Sequence, residues 1–257
     1  MTPMLGQATA AALAPPRRWI RRVFGRGDIH ERQKWSVVWP RLEALSSGPL
    51  RVLDAGCATG DWSLELAALR SRWTIVGVDV NPRAIAAARW ASRRLGLERV
   101  SFQEADFMSF ETAAPFDVVL SVASAHYLAE SGRGHDLFAQ FRRWLAPGGR
   151  LVLLGPRASG EAGYLRRLPR GAPHPVFTRD GLVELCAGSG LEVSRLTPVI
   201  GRWGTLAKQV DWRLQRTAVV SAAAYPLLLA LSAVDARRQP DDDDRSIMWL
   251  LEAHAPS

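Results

Sequence analysis

Val52-Leu53-Asp54-Ala55-Gly56-Cys57-Ala58-Thr59-Gly60-Asp61 decides how the rest of the chain is read. The apolar run Leu50–Leu53 has the length and composition of a buried strand. A Gly-rich turn over Asp54–Gly60 follows it, and a helix over Asp61–Leu69 follows the turn. In a strand–turn–helix of this kind, a nucleotide-like ligand sits beyond the carboxyl end of the strand. Gly56 and Gly60 let backbone approach such a ligand closely. The spacing is G-x-x-x-G, with Ala58 where a dinucleotide fingerprint would carry its second glycine, so a pyrophosphate is poorly supported. No G-K-S/T follows, so this is not a P-loop. Asp54 is an acid where a phosphate cradle would avoid one, and it suits a cationic ligand group.

Outward from this segment, strands and helices alternate. Trp73–Val78 reads as a strand ending at Asp79, and Pro82–Leu95 as a helix with Pro at its first turn and Gly96 at its end. Val100–Glu104 and Asp117–Leu120 read as strands, Gly134–Trp144 as a helix closed by Pro147-Gly148-Gly149, and Arg150–Leu154 as a buried strand. This alternation predicts an α/β chain with a parallel sheet. A helix over 29–46 precedes it, with Trp35, Val38, Leu42 and Leu45 at helical spacing. Beyond it come a Gly-, Pro- and Arg-rich loop over 155–177, a helix Thr178–Gly188 capped by Thr178, a strand Leu191–Pro198, an apolar helical stretch over 204–236 and a last strand Ile247–Glu252.

Asp79 ends the second strand 23 residues after Gly56, where a carboxylate can accept from two ribose hydroxyls. Asp106 follows the third strand, where it can accept from an exocyclic amine. Together with Asp54 these acids describe a ligand with an amino group, a ribose and an adenine, and without a phosphate. Five segments occur in register: Val-Leu-Asp-Ala-Gly-Cys-Ala-Thr-Gly from Val52, Val-Gly-Val-Asp-Val-Asn-Pro from Val76, Glu-Ala-Asp-Phe from Glu104, Phe-Asp-Val-Val-Leu-Ser from Phe116, and Leu-Ala-Pro-Gly-Gly-Arg-Leu-Val-Leu from Leu145. On these the chain resembles the class I S-adenosylmethionine-dependent methyltransferases, in particular the methyltransferase type 11 group that includes quinone-biosynthesis enzymes.

The resemblance implies a Rossmann-like α/β fold. Its seven-stranded, mostly parallel sheet has helices on both faces, and an antiparallel last strand is inserted between the fifth and sixth. It implies S-adenosyl-L-methionine as cofactor. Asp54, Ala55, Gly56, Cys57 and Gly60 would shape the methionine end, Asp79 would bind the ribose, Val80 and Phe107 would flank the adenine, Asp106 would bind its amine, and Ser121 would lie near the methionine portion. Without the resemblance, Asp79 and Asp106 could equally cap strands or turns, and Cys57 reads as a small turn residue. The whole of 29–257 reads as one methyltransferase domain: N-terminal helix (29–46), cofactor core (50–155), acceptor loop (155–177) and apolar insertion (204–236).

Residues after the fourth strand bear on the acceptor. Ser121-Val-Ala-Ser-Ala-His126-Tyr127 lacks the Asn/Asp-Pro-Pro-aromatic sequence of amino-methylating nucleic-acid enzymes, and the chain shows neither a catalytic cysteine pair nor the acid cluster of metal-dependent members. A metal-free transfer to oxygen or carbon of a small, lipophilic acceptor is therefore expected. His126 is the candidate general base, and the alternative is a histidine hydrogen-bonded within its helix. Tyr127 is taken with it as a catalytic candidate or as a packing residue. In the acceptor loop Tyr164, His174, Arg157, Arg166, Arg167 and Arg170 could meet an anionic or glycosidic acceptor, or form a solvated loop. Trp35 and His30 could close over the ligands, with core packing the plainer role for Trp35.

Charge is the unusual part of the composition. The chain has 257 residues and a formal net charge of +8. Only Lys34 and Lys208 are lysines; the other cations are arginines. Residues 1–27 hold Arg17, Arg18, Arg21, Arg22 and Arg26 and no acid, so a basic arm over 1–28 carries much of the excess. The arm reads as a transit peptide, as a disordered lead into a packed helix, or as a membrane- or substrate-contacting surface. A nucleic-acid methyltransferase and a membrane-associated binding protein without turnover are the alternatives, but nucleic acid is not the expected partner, because the body is nearly neutral. The run 218–234 is uncharged, with Arg213 and Arg216 before it and Arg237 and Arg238 after it. It is short for a span, contains Pro226, and joins two strands of one sheet, so a buried or lid helix or a peripheral lipid-facing surface is expected instead. Asp241–Asp244 reads as a solvated loop. Cys57 and Cys186 suggest neither zinc nor a disulfide and suit a reducing compartment, hence a cytoplasmic protein, with peripheral membrane contact left open. The oligomeric state is left open.

Overall fold

A computed structural model describes residues 29–45, 48–157, 177–214, 218–237 and 246–257. The basic arm, most of the acceptor loop with Tyr164 and His174, and Asp241–Asp244 lie outside the described residues.

The elements are α1 (Ile29–Glu43), β1 (Arg51–Ala55), α2 (Asp61–Leu69), β2 (Thr74–Asp79), α3 (Pro82–Leu95), β3 (Val100–Glu104), β4 (Phe116–Val122), the short α4 (His126–Leu128), α5 (Gly134–Trp144), β5 (Leu145–Pro156), α6 (Arg179–Ser189), β6 (Glu192–Val199), α7 (Arg202–Leu214), α8 (Ala218–Arg237) and β7 (Met248–His254). The seven strands form one sheet in the order β3-β2-β1-β4-β5-β7-β6. β1 to β5 run parallel, and β7 is antiparallel to both β5 and β6. The expected Rossmann-like α/β sheet with its last strand inserted between the fifth and sixth is the one formed.

Each strand is read twice, once per face. Val52, Val118, Leu120, Val152 and Leu154 join one core with Trp62, Ile85 and Leu42 of the covering helices. Leu53, Val119, Leu151 and Leu153 join the other, with Phe138, Phe141, Leu182 and Cys186. Burial on both sides is why these strands are continuous apolar runs without alternation. Helix ends follow local chemistry. The Asn81 side chain accepts from Arg83 N at 3.0 Å and Ala84 N at 3.3 Å to start α3, and Gly96, at φ 63°, ends it. Thr178 caps α6 by accepting from Gly181 N at 3.0 Å.

Two expectations are revised. Pro147-Gly148-Gly149 does not stand between helix and strand; it lies inside β5, which begins at Leu145. Gly148 N donates to Ala255 O at 3.0 Å and Ala255 N to Gly149 O at 2.9 Å, so the end of the chain supplies the partners that make this segment strand. The apolar stretch 204–236 is two helices, α7 and α8. α8 is only partly buried: Tyr225 and Leu228 are inside, while Leu227 is exposed. No helix among the described residues is long and apolar enough to cross a membrane.

Trp144 joins the lower core to the ligand end of the sheet. It is buried, donates Nε1–H to Phe110 O at 3.1 Å, and meets Phe107 edge-on at 6.2 Å between ring centroids. Trp144→Ala is expected to cost about 3–5 kcal/mol of stability, read from the urea unfolding midpoint at constant slope.

Candidate functional site

Parallel register brings the carboxyl ends of β1, β2, β3 and β4 to one edge. Ala55 pairs with Val78, Asp79 with Glu104, and Asp54 with Leu120. The turn after β1 is fixed by its own backbone: Gly56 N and Cys57 N both donate to Val78 O, at 2.8 and 3.0 Å, and Gly60 N donates to Cys57 O at 2.8 Å. Gly56 has φ 82° and Gly60 φ 77°, and Ala58 also lies in the left-handed region at φ 46°. Packing adds a second requirement for glycine. A Cβ on Gly56 would lie 2.3 Å from the Cβ of Ser124, and one on Gly60 would lie 2.7 Å from the Phe102 ring.

Asp79 is placed by this turn. Its Oδ2 accepts from Ala58 N and its Oδ1 from Asn81 N, both at 2.9 Å. One carboxylate thus links the Gly turn to the cap of α3, and each oxygen keeps a further lone pair. The capping role and a ligand-binding role are compatible here. Beside it, Ala105 N donates to Asp79 O at 3.1 Å, which sets Asp106 and Phe107 next to Val80. Asp106 is exposed and accepts from Met108 N at 2.7 Å; Val80 is 68% exposed.

Asp54 is 2% exposed, and its Oδ2 accepts from Ser63 Oγ at 2.6 Å. Burial pushes its pKa up to about 6; the Ser63 hydroxyl and backbone N–H oppose the shift, and the nearby Asp79 and Asp61 add to it. Asp79 and Asp61 thus lie near enough to Asp54 to add to the shift that burial begins. Burial, followed by Asp54 and Asp79, raises the Cys57 thiol far above its ordinary range, which makes it an inert packing group.

Ser121 is fully buried inside β4, and its Oγ meets Ser124 Oγ at 2.8 Å. Ser124 donates in turn to Ala55 O at 2.7 Å. Sequence reasoning missed Ser124 and Ser63: neither belongs to a motif, and only the space beside Gly56 or the position of the first turn of α2 marks them.

His126 opens α4 just beyond β4 and is buried, with its ring centroid 4.1 Å from that of Tyr127. Tyr127 is 63% exposed, which overturns the reading of it as a packing residue. Trp35 stacks on Trp39 at 5.2 Å and on Trp62 at 4.7 Å, so it packs α1 onto α2. His30 is held neutral, first by burial and then by Lys208 and Lys34. In the acceptor loop only Arg157 is described among the arginines named; it is buried, with its guanidinium 4.6 Å over the Trp249 ring. No group of three metal-ligating side chains occurs among the described residues.

A family model described as a methyltransferase domain matches residues 46–171. The chain is 34% identical over 167 residues to a demethylmenaquinone methyltransferase from Deinococcus radiodurans, covering 63% of this chain and 65% of the relative. It is 28% identical over 171 residues to a trans-aconitate 2-methyltransferase from Streptomyces avermitilis, covering 65% and 60%. The chain thus spans less than two thirds of the length of these curated relatives. Among solved structures, the (4+2)-cyclase SpnF superposes with a TM-score of 0.57 at 24% identity, over 81% of this chain and 75% of that one.

Two predictions concern the turn. Ionising Asp54 costs about 3 kcal/mol more in the folded than in the unfolded chain. Because its folded pKa is raised, that penalty is absent below about pH 4 and complete above about pH 6. Asp54→Asn keeps an acceptor for Ser63 and is expected to be more stable than wild type in the ligand-free chain at pH 7.5. The gain should shrink towards pH 4, as read from denaturant midpoints across pH. Gly56→Ala should destabilise by about 2 kcal/mol or more. Ser124→Gly should recover only part of that loss, because the strain at positive φ stays.

Proposed function

We propose, from the methyltransferase-domain match over residues 46–171 and the likeness to a demethylmenaquinone methyltransferase, that the chain is a class I S-adenosylmethionine-dependent methyltransferase and transfers the methyl group of S-adenosyl-L-methionine to an oxygen or carbon of a small, lipophilic acceptor. The observation that carries the cofactor reading is the set of carboxylates around the Gly turn. Burial first, and Asp79 and Asp61 after it, raise the pKa of Asp54, and a positively charged ligand nearby offsets the cost of ionising it. A phosphate would make it worse.

The residues present suit this cofactor. Asp79 keeps two outward lone pairs for vicinal hydroxyls, its other contacts being backbone N–H groups. Asp106 has one oxygen on Met108 N and the other to offer an amine. Val80 and Phe107 supply apolar surface on either side of that position. Asp54 is too buried to be a first contact, so it acts through the turn, holding β1 to α2 by way of Ser63 and contributing charge. Ala55, Gly56, Cys57 and Gly60 form the backbone wall. Ser121 acts through Ser124.

When bound, the cofactor supplies an electrophilic methyl on a sulfonium. The chain then has to aim the acceptor in line, exclude water and take a proton. His126, at the carboxyl end of β4, takes the proton of an acceptor hydroxyl or acidic carbon at a ring nitrogen. Tyr127, exposed beside it, borders the acceptor. A small-molecule acceptor agrees with the relatives named for demethylmenaquinone and trans-aconitate; the apolar insertion favours a lipophilic one. SpnF, named as a cyclase, shows that the fold alone does not prove methyl transfer, so a chain that binds cofactor without turnover is the second reading.

Calorimetry should show S-adenosylmethionine binding that Asp79→Ala weakens by about 10- to 100-fold, the worth of hydrogen bonds to a charged group. Unchanged affinity would remove Asp79 from the site. With labelled methyl donor and fractionated lipid, small-molecule and RNA pools, label should enter a lipid or small-molecule fraction. His126→Ala should lower that turnover by about 100-fold or more while leaving cofactor affinity within a factor of two or three. Binding without label in any pool would favour the second reading.

A further inference from the structure

α8 presents a conflict between sequence and burial. A helix that is apolar all round belongs in a core or in lipid. Residues 218–234 carry no charge, so no face of α8 over this run is made for water. Only one side of it is covered: Tyr225 and Leu228 pack with Ile29 of α1 and Ala207 of α7. Val220, Ala223, Pro226, Leu227, Ala230 and Ala233 are all exposed. Leu227 is 72% exposed, more than any other large apolar residue described. These positions recur at three- and four-residue steps over four turns, so they form a continuous stripe. α7, packed against α8, adds exposed Leu206 and Trp212.

Among the described residues of α7 and α8, the exposed charges have one sign. Arg202 and Arg213 of α7 are exposed. Arg213 and Arg216 precede the uncharged run, and Arg237 and Arg238 follow it. The two acids of the pair are turned inward: Asp211 is buried, and Asp235 accepts from Gly204 N at 2.6 Å. An apolar stripe with exposed Arg202 and Arg213 on the helix packed against it and a tryptophan nearby matches the boundary between anionic headgroups and acyl chains. A second copy of the same surface would bring arginines against arginines.

We propose that the α7–α8 pair is a membrane-docking surface. It lies on anionic lipid, with Leu227 and Val220 in the acyl boundary and the flanking arginines on the headgroups. The pair lies on the surface without crossing. Pro226 is tolerated there, because the exposed side of the helix meets the interface and not the hydrocarbon centre. Docking is independent of the proposed methyl transfer and is read without it.

The test is sedimentation of the full chain with sucrose-loaded vesicles of pure phosphatidylcholine or of phosphatidylcholine with 30% phosphatidylglycerol, roughly the anionic content at which such surfaces bind. Wild type should pellet with the anionic vesicles and bind the neutral ones about 10-fold more weakly. Leu227→Asp with Val220→Asp should lower anionic-vesicle binding about 10-fold or more. Both positions face solvent, so the unfolding midpoint should stay at the wild-type value. Arg202→Glu with Arg213→Glu should erase the preference for anionic lipid. The proposal is overturned if wild type stays in the supernatant. Full binding by the Leu227→Asp, Val220→Asp variant overturns it too, and would move the contact to the basic arm. Light scattering that shows a dimer split by the same double variant, without vesicle binding, would assign the stripe to self-association instead.

Discussion

The carboxylate of Asp79 holds the ligand end of the sheet together. One oxygen takes Ala58 N–H from the turn after β1, and the other takes Asn81 N–H at the head of α3. Asn81 in turn receives the first N–H groups of α3. A single acid therefore sets the position of a left-handed turn and of a helix start, from the end of the strand that neighbours both. Replacing it with alanine would free two backbone donors, while the bonds of Gly56 N and Cys57 N to Val78 O would still hold the turn. The same strand end places Val80 and, through the bond from Ala105 N to Asp79 O, the neighbouring Asp106.

The price of the arrangement is electrostatic. Asp54 is buried with Asp79 and Asp61 close by, so its ionisation is disfavoured first by burial and then by those charges. Stability alone would select a neutral residue at position 54. Retaining an acid there makes sense if a cation completes the site, because the same cost then becomes differential affinity for the positively charged form of a ligand. Under the proposed function, destabilisation of the free chain and affinity for a sulfonium would arise from one set of charges.

The first half of the molecule was legible from residue order because local rules and global packing agree there. Pro82 and Gly96 bracket α3, Thr178 starts α6, and two-sided burial makes β4 and β5 uninterrupted apolar runs. The candidate ligand acids were legible for a related reason: each lies at or within two residues of the carboxyl end of a strand, and parallel register gathers strand ends. What was not legible depends on contacts distant in sequence. Ser124 matters because it fills the space beside Gly56, 68 residues earlier in the chain. Pro147-Gly148-Gly149 is strand because Ala255 comes back to pair with it. Tyr127 read as packing, and its ring does lie against His126, but the single turn of α4 leaves it largely exposed.

The second half is joined more weakly, and that has a mechanical consequence. Ile29, Ala207, Tyr225 and Leu228 make up the small core shared by α1, α7 and α8, against the two large cores of the sheet. Polar links supplement it: Gln33 donates through Nε2 to Gly204 O and to Ser232 Oγ, both at 2.8 Å. Those two bonds fix the orientation of the amide, and the buried His30 side chain hydrogen-bonds to the same Gln33. A cavity of about 430 Å³ runs along that seam, between α1 and the β6–β7 face, bordered by Gln33, Ser232, Asp235, Arg41 and Arg195. A small apolar core and a cavity together locate the least costly opening of the fold between α1 and the α7–α8 pair. The strand ends bearing Asp54, Asp79 and Asp106 lie across the sheet from this seam, on the β1–β3 side. The insertion helices can therefore shift without loosening the turn that Asp79 holds.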